Sequence, residues 1–105
     1  MEIKNAVLTL TSLAQESRLE IFRLLVKAGK TGLSAGKISE LTQIPPSTLS
    51  FHMKELLIGG IVHSRQEGRF VIYSAHFVVM NELMTFLTEN CCSGEECLPD
   101  FIQRC

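Results

Sequence analysis

The sequence predicts a mainly α fold with a β-hairpin wing, a winged helix-turn-helix that pairs into a homodimer through its terminal helices. Three observations carry that expectation. The stretches SAGKISELTQ and STLSFHMKELLI are two short helical segments joined by Ile44-Pro45-Pro46. IVHSRQEGRFVIYSA follows at once and abandons the helical period for a run rich in β-branched and aromatic residues. HFVVMNELMTFLTEN then returns to a helical pattern that is apolar on nearly every side.

The elements follow in order. Residues 3–14 read as a helix, with Ile3, Val7, Leu10 and Ala14 spaced for one face. Gln15-Glu16-Ser17 interrupts it. Residues 17–28 form a stronger helix, with Leu19, Phe22, Leu25 and Val26 turned inward, and Gly29 stops it. Ser34 is placed to cap a short helix that ends near Gln43. Pro45 disfavours a helical Ile44, so a sharp turn must follow. Proline is tolerated in a first helical turn. The next helix therefore starts around Pro46 or Ser47, runs to about Ile58 and ends at Gly59-Gly60. Residues 61–75 read as a hairpin with Glu67-Gly68 at its centre. The last helix, 76–90, carries Phe77, Val78, Val79, Met80, Leu83, Met84, Phe86 and Leu87. A helix apolar on more than one face needs a second surface to cover it, and in so small a chain a second subunit is the natural candidate. Residues 1–90 are thus expected to form the DNA-binding and dimerisation domain, and residues 91–105 a cysteine-containing tail.

Composition narrows the function. A chain of 105 residues that is 46% hydrophobic is expected to fold as one globular domain. The net charge of −1 argues against a general polyanion binder. The charge is unevenly spread, however. Residues 1–75 hold nine Lys and Arg against six Asp and Glu, whereas residues 76–105 set Arg104 against five carboxylates. A basic body permits contact with phosphates, though solvated surface charge gives the same count. No apolar run approaches the roughly 20 residues that span a bilayer. MEIKNAVLTL lacks the features of a signal peptide, so a cytoplasmic location is expected. Thiols there stay mostly reduced, and a cysteine cluster is then a metal or redox site before it is a disulfide framework. No Ser/His/Asp set, phosphate loop or paired acids suggest an enzyme.

The second helix of the pair divides into two faces at 100° per residue. Leu49, Met53, Leu56 and Leu57 fall on the core side. Ser47, Ser50, Phe51 and Lys54 fall on the other, with Pro46 and Thr48 in the same first turn. Small hydroxyl side chains near a helix N-terminus suit base edges or phosphates in a major groove. Phe51 either packs on a thymine methyl or folds back on the protein. His52 lies at the edge of the inward face, as a hydrogen-bonded structural histidine or as a base reader. Arg65 and Arg69 flank the hairpin turn, within reach of phosphates or a minor groove, or simply as solvated charge. The expected double-stranded DNA contacts are therefore Pro46, Ser47, Thr48, Ser50, Phe51, His52, Lys54, Arg65 and Arg69.

From about residue 10 to residue 92 the chain resembles the ArsR/SmtB family of bacterial metal-responsive repressors. SRLEIFRLLVKAG carries the resemblance, and STLSFHMKELLIGGIV followed by QEGRFVIY is its most specific part. The resemblance implies a homodimeric winged helix that represses an operon and leaves its operator when an inducer binds. Family members place inducer sites at several positions. The arsenic site in the first helix of the helix-turn-helix needs cysteines, and SAGKISELTQ has none. The zinc site in the last helix needs paired His and carboxylate ligands, and His76, Glu82 and Glu89 do not form that pattern. NCCSGEEC, at residues 90–97, resembles the arsenite-responsive members whose thiols lie at the C-terminus.

The implied ligands are Cys91, Cys92 and Cys97. Soft thiolates select soft ions, and trivalent arsenic takes three of them in a pyramid. Arsenite, As(III), is the expected inducer, with Sb(III) open by the same softness and no resident cofactor required. Methylated arsenicals, cadmium, lead and a four-thiol zinc site that enlists Cys105 stay open, as does Cys105 as a bystander. The rival chemistry is a thiol redox switch that pairs Cys97 with Cys91 or Cys92. Glu95 and Glu96 beside Cys97 disfavour a thiolate, which weighs against fast oxidation.

Overall fold

The structure, a computed structural model, describes residues 1–94. Helices α1 (Ile3–Leu13) and α2 (Glu16–Ala28) come first. A 3-10 turn at Gly29–Thr31 leads into the two-residue strand β1 (Leu33–Ser34). Helices α3 (Ala35–Thr42) and α4 (Pro46–Ile58) form the helix-turn-helix. Strands β2 (Val62–Glu67) and β3 (Phe70–Ala75) form the wing. Helix α5 (Phe77–Thr88) and a 3-10 turn at Cys91–Gly94 complete the described chain.

Local chemistry explains most of the boundaries. The Gln15 side chain accepts from the Arg18 amide at 2.9 Å and caps α2, so that helix starts at Glu16. Ser34 accepts from the Lys37 amide at 3.1 Å and caps α3, as its position in the sequence predicts. Gln43 closes α3 in the left-handed region at φ 63°, and its amide returns to the Ser39 carbonyl at 2.9 Å. Pro46 then occupies the first position of α4, where a missing N–H costs nothing.

The sheet is antiparallel in the order β1-β3-β2. The hairpin pairs Val62 with Ala75 and Glu67 with Phe70. Strand β1, which no sequence pattern predicts, pairs Leu33 with Tyr73 and Ser34 with Ile72. It can lie this close because Gly32, at φ 72°, has no Cβ to strike the Tyr73 carbonyl.

The core gathers Ile21, Leu25, Ile38, Leu49, Met53, Leu56 and Ile61, all fully buried, with Val62 and Ala75 from the wing strands. Each such side chain contributes about 1.5–3 kcal/mol on burial. The wing is therefore rooted in the same core as the helix-turn-helix.

Two inward assignments are corrected. Leu19 is 46% exposed, and Ile21 takes the buried position on α2 instead. Leu57 is 38% exposed, because the buried row on α4 runs through Leu49, Met53 and Leu56 and stops there. Ile3, Val7, Leu10 and Ala14 all face solvent. Helix α1 turns Ala6, Thr9 and Ser12 toward the body instead. Close approach is the reason. Thr9 Oγ1 donates to the Gly59 carbonyl at 2.7 Å, and Ser12 packs where a Cβ on Gly59 would sit. Only small side chains fit that crossing. The apolar face of α1 is thus left outside, together with Val78 and Leu87 of α5.

Candidate nucleic-acid interface and thiol site

Helix α4 presents its polar face as the sequence predicts. Pro46, Ser47, Thr48, Ser50, Phe51 and Lys54 are all exposed. No side chain caps the helix at Pro45, so the first-turn amides have no partner from a cap. Those amides and the positive end of the helix dipole suit a phosphate oxygen. Hydroxyls at Ser47, Thr48 and Ser50 supply both donors and acceptors beside them. Phe51 is 58% exposed and does not fold back into the core. Its ring and that of His52 lie edge to face with centroids 5.7 Å apart.

His52 departs from the expected set. It is 8% exposed, and its Nδ1 has no hydrogen-bond partner among the described residues. The ring lies mostly inside, against the exposed Phe51. It is a core histidine, but not the hydrogen-bonded one that the sequence suggests.

The two wing arginines behave differently. Arg65 is tied down: its Nη2 donates to the Thr31 carbonyl at 2.7 Å, its Nη1 to the Lys30 carbonyl at 3.4 Å, and its Nε pairs with Glu67. It braces the wing against the turn after α2, with part of its charge neutralised. Arg69 stands exposed beside Gly68, and no hydrogen bond or ion pair holds it among the described residues. Phe70, next to it, is exposed as well. Sequence reasoning passed over Phe70, although an aromatic beside the turn arginine was a visible signal.

The cysteines begin where α5 ends. Cys91 is exposed, and its Sγ lies 3.4 Å from Cys92 Sγ. The backbone curls tightly there: Asn90, Cys92 and Ser93 all take positive φ, between 55° and 59°. Cys92 is disulfide-bonded in this structure, whereas reduced thiols were expected. Cys97 and Cys105 lie outside the described residues. Among the described residues, no three His, Cys, Asp or Glu side chains converge as a metal cluster would.

Comparison with known proteins now bears on these surfaces. A family model described as a helix-turn-helix domain matches residues 13–65. The arsenical resistance operon repressor of Bacillus subtilis is 31% identical over 81 residues, which are 77% of this chain and 73% of that protein. The chain belongs to the ArsR/SmtB family of helix-turn-helix transcriptional regulators.

A second Bacillus subtilis protein, the uncharacterised regulator YceK, is 40% identical over 58 residues. That match takes in 55% of this chain and 57% of YceK. The solved structure of HlyU from Vibrio cholerae superposes with a TM-score of 0.65 at 34% identity, over 83% of this chain and 97% of that one. HlyU has also been solved in a form described as reduced. Solved structures that share the fold include a homodimeric winged helix-turn-helix DNA-binding domain. Members of this family are DNA-binding regulators and not enzymes. No helix among the described residues is long and apolar enough to cross a membrane.

Proposed function

We propose that this family member is a homodimeric, cytoplasmic repressor that releases its operator when arsenite, or antimonite by the same chemistry, binds Cys91, Cys92 and Cys97. The observation that carries the reading is the approach of Cys91 Sγ to Cys92 Sγ, 3.4 Å apart at the foot of α5. Once a reductant has opened the Cys92 disulfide, two sulfurs at that separation suit one soft, pyramidal ion. A third thiolate from the tail completes its shell, each As–O bond being exchanged for As–S with loss of water.

Dimerisation is supported by the apolar residues that α1 and α5 leave outside: Ile3, Val7, Leu8 and Leu10 with Val78 and Leu87. Covering them with a second copy removes an exposed patch that a monomer seldom tolerates. A two-fold pair sets the two reading helices about one DNA turn apart, roughly 34 Å. Ser47, Thr48, Ser50, Phe51 and Lys54 then face the major groove, and Arg69 faces the backbone beside it. Arsenic bound at the foot of α5 acts only through a difference in its affinity for the DNA-competent and incompetent arrangements.

The test is release from DNA. Reduced protein on DNA from its own upstream region is titrated separately with arsenite, zinc and peroxide, and fluorescence anisotropy is followed. Near-stoichiometric release by arsenite alone, abolished in Cys91→Ser with DNA binding retained, is the expected result. If that variant fails to bind DNA without any ligand, the cysteines are structural.

A second reading is favoured by the disulfide at Cys92. In it the tail is a thiol redox switch on the same DNA-binding body. Release by peroxide, reversed by a reductant, would establish it in place of the metalloid.

A further inference from the structure

The base of the wing and the start of α5 enclose a groove of about 310 Å³, within the range of small-molecule sites. Four basic side chains line it: Lys30 from the turn after α2, His63 and Arg65 from β2, and His76 at the head of α5. Its apolar lining is Ala75, Phe77 and Val78, and among the described residues no carboxylate lines it. Glu67, the acid nearest in sequence, is paired with Arg65 outside the groove.

The two histidines form a platform. Their rings stack with centroids 4.8 Å apart and planes inclined by 29°. His76 Nδ1 accepts from the Val79 amide at 3.4 Å, and in doing so caps α5. With Nδ1 engaged, Nε2 is the ring nitrogen left to donate to a ligand. Lys30 adds an ammonium that makes no hydrogen bond or ion pair among the described residues. The positive end of the α5 dipole adds to the same field.

We propose that this groove binds a small organic anion, a carboxylate on a flat apolar body, held between the His63–His76 platform, Phe77 and the Lys30 ammonium. The carboxylate is met by donors and the flat body by aromatic faces. The groove is lined neither by Cys91 nor by any residue of α4, and only Val78 on its rim belongs to the apolar patch that a second copy would cover. The proposal therefore stands or falls independently of the arsenic reading.

Benzoate is the probe, with benzamide as its neutral isostere, titrated into the full reduced chain and followed by amide NMR shifts. Saturable shifts at His63, Ala75 and His76 are expected, at a dissociation constant of about 1 mM, as befits a fragment. Benzamide should bind at least about tenfold more weakly, a difference of about 1.4 kcal/mol. Lys30→Gln, at an exposed position that folding does not need, should weaken benzoate severalfold and leave benzamide unchanged. Equal binding of the two probes, benzoate shifts confined to α4, or no saturable shift would each overturn the proposal. So would zinc chloride alone perturbing both imidazoles at equimolar metal, which would make the pair a metal site.

Discussion

Thr9 Oγ1 donates a 2.7 Å hydrogen bond to the Gly59 carbonyl, across 50 residues of chain. It joins the middle of α1 to the residue that ends α4. The helix that carries the exposed apolar face is thereby fastened to the helix that carries the polar one. Ser12 packs against Gly59 at the same crossing.

Gly59→Ala should therefore be costly although its backbone, at φ −70°, accepts any residue. The new methyl would collide with Ser12 Oγ and Cβ. Overpacking of this kind costs typically about 1–3 kcal/mol. Thr9→Val, which keeps the shape and loses the hydrogen bond, should cost about 1 kcal/mol. Urea unfolding measures both. Partial recovery of Gly59→Ala by Ser12→Gly would place the cost at this contact.

His52→Leu should leave operator affinity within twofold and hold or raise stability. The wild-type ring buries a nitrogen with no partner among the described residues. An unsatisfied buried group costs about 1–3 kcal/mol, and an apolar residue of similar size removes that cost. Denaturation and anisotropy on one sample check the two halves. A tenfold loss of operator affinity in a stable variant would return His52 to the interface.

On the reading face, Ser50→Ala combined with Lys54→Ala should weaken operator binding by roughly 1–3 kcal/mol and leave arsenic stoichiometry unchanged. Arg69→Gln should weaken all sequences about equally and reduce the slope of log affinity against log salt by about one. Arg65→Gln should act mainly through the wing, because its guanidinium is held by the Thr31 carbonyl and Glu67. Unchanged affinity in the Ser50/Lys54 variant would refute the assignment of this face.

Val7→Glu should convert the dimer to monomers while the domain stays folded. Val7 is well exposed in the single chain and touches nothing that holds the core. Sedimentation velocity gives the mass, and circular dichroism gives the helix content. A dimer that survives Val7→Glu and Val78→Asp together would put the interface elsewhere.

The helix-turn-helix and wing were legible because each has a loud local signal. Ser34 caps, Pro45 and Pro46 punctuate, Gly59 and Gly60 stop, and Gly68 turns the hairpin. Burial was harder to read. A helical wheel sorts residues by side but not by what covers each side. The apolar row of α1 was real, yet it faces away from its own core. Leu19 and Leu57 failed for a related reason: each lies one step off a buried row, and the wheel does not say where the row ends. Strand β1 carries only Leu33 and Ser34, too short for any period to appear. The tie between Arg65 and the Thr31 carbonyl joins residues 34 apart and leaves no local trace.

That short strand has a mechanical result. β1 pairs with the wing at Tyr73 and Ile72, and its second residue is the cap of α3. The wing and the helix-turn-helix are thus joined through β1 as well as through their common core. Their mutual angle is set before a duplex arrives. A duplex that meets both the wing and α4 would then find them already held at one angle, and sequences that bend to suit that angle at low cost are the ones expected to bind best.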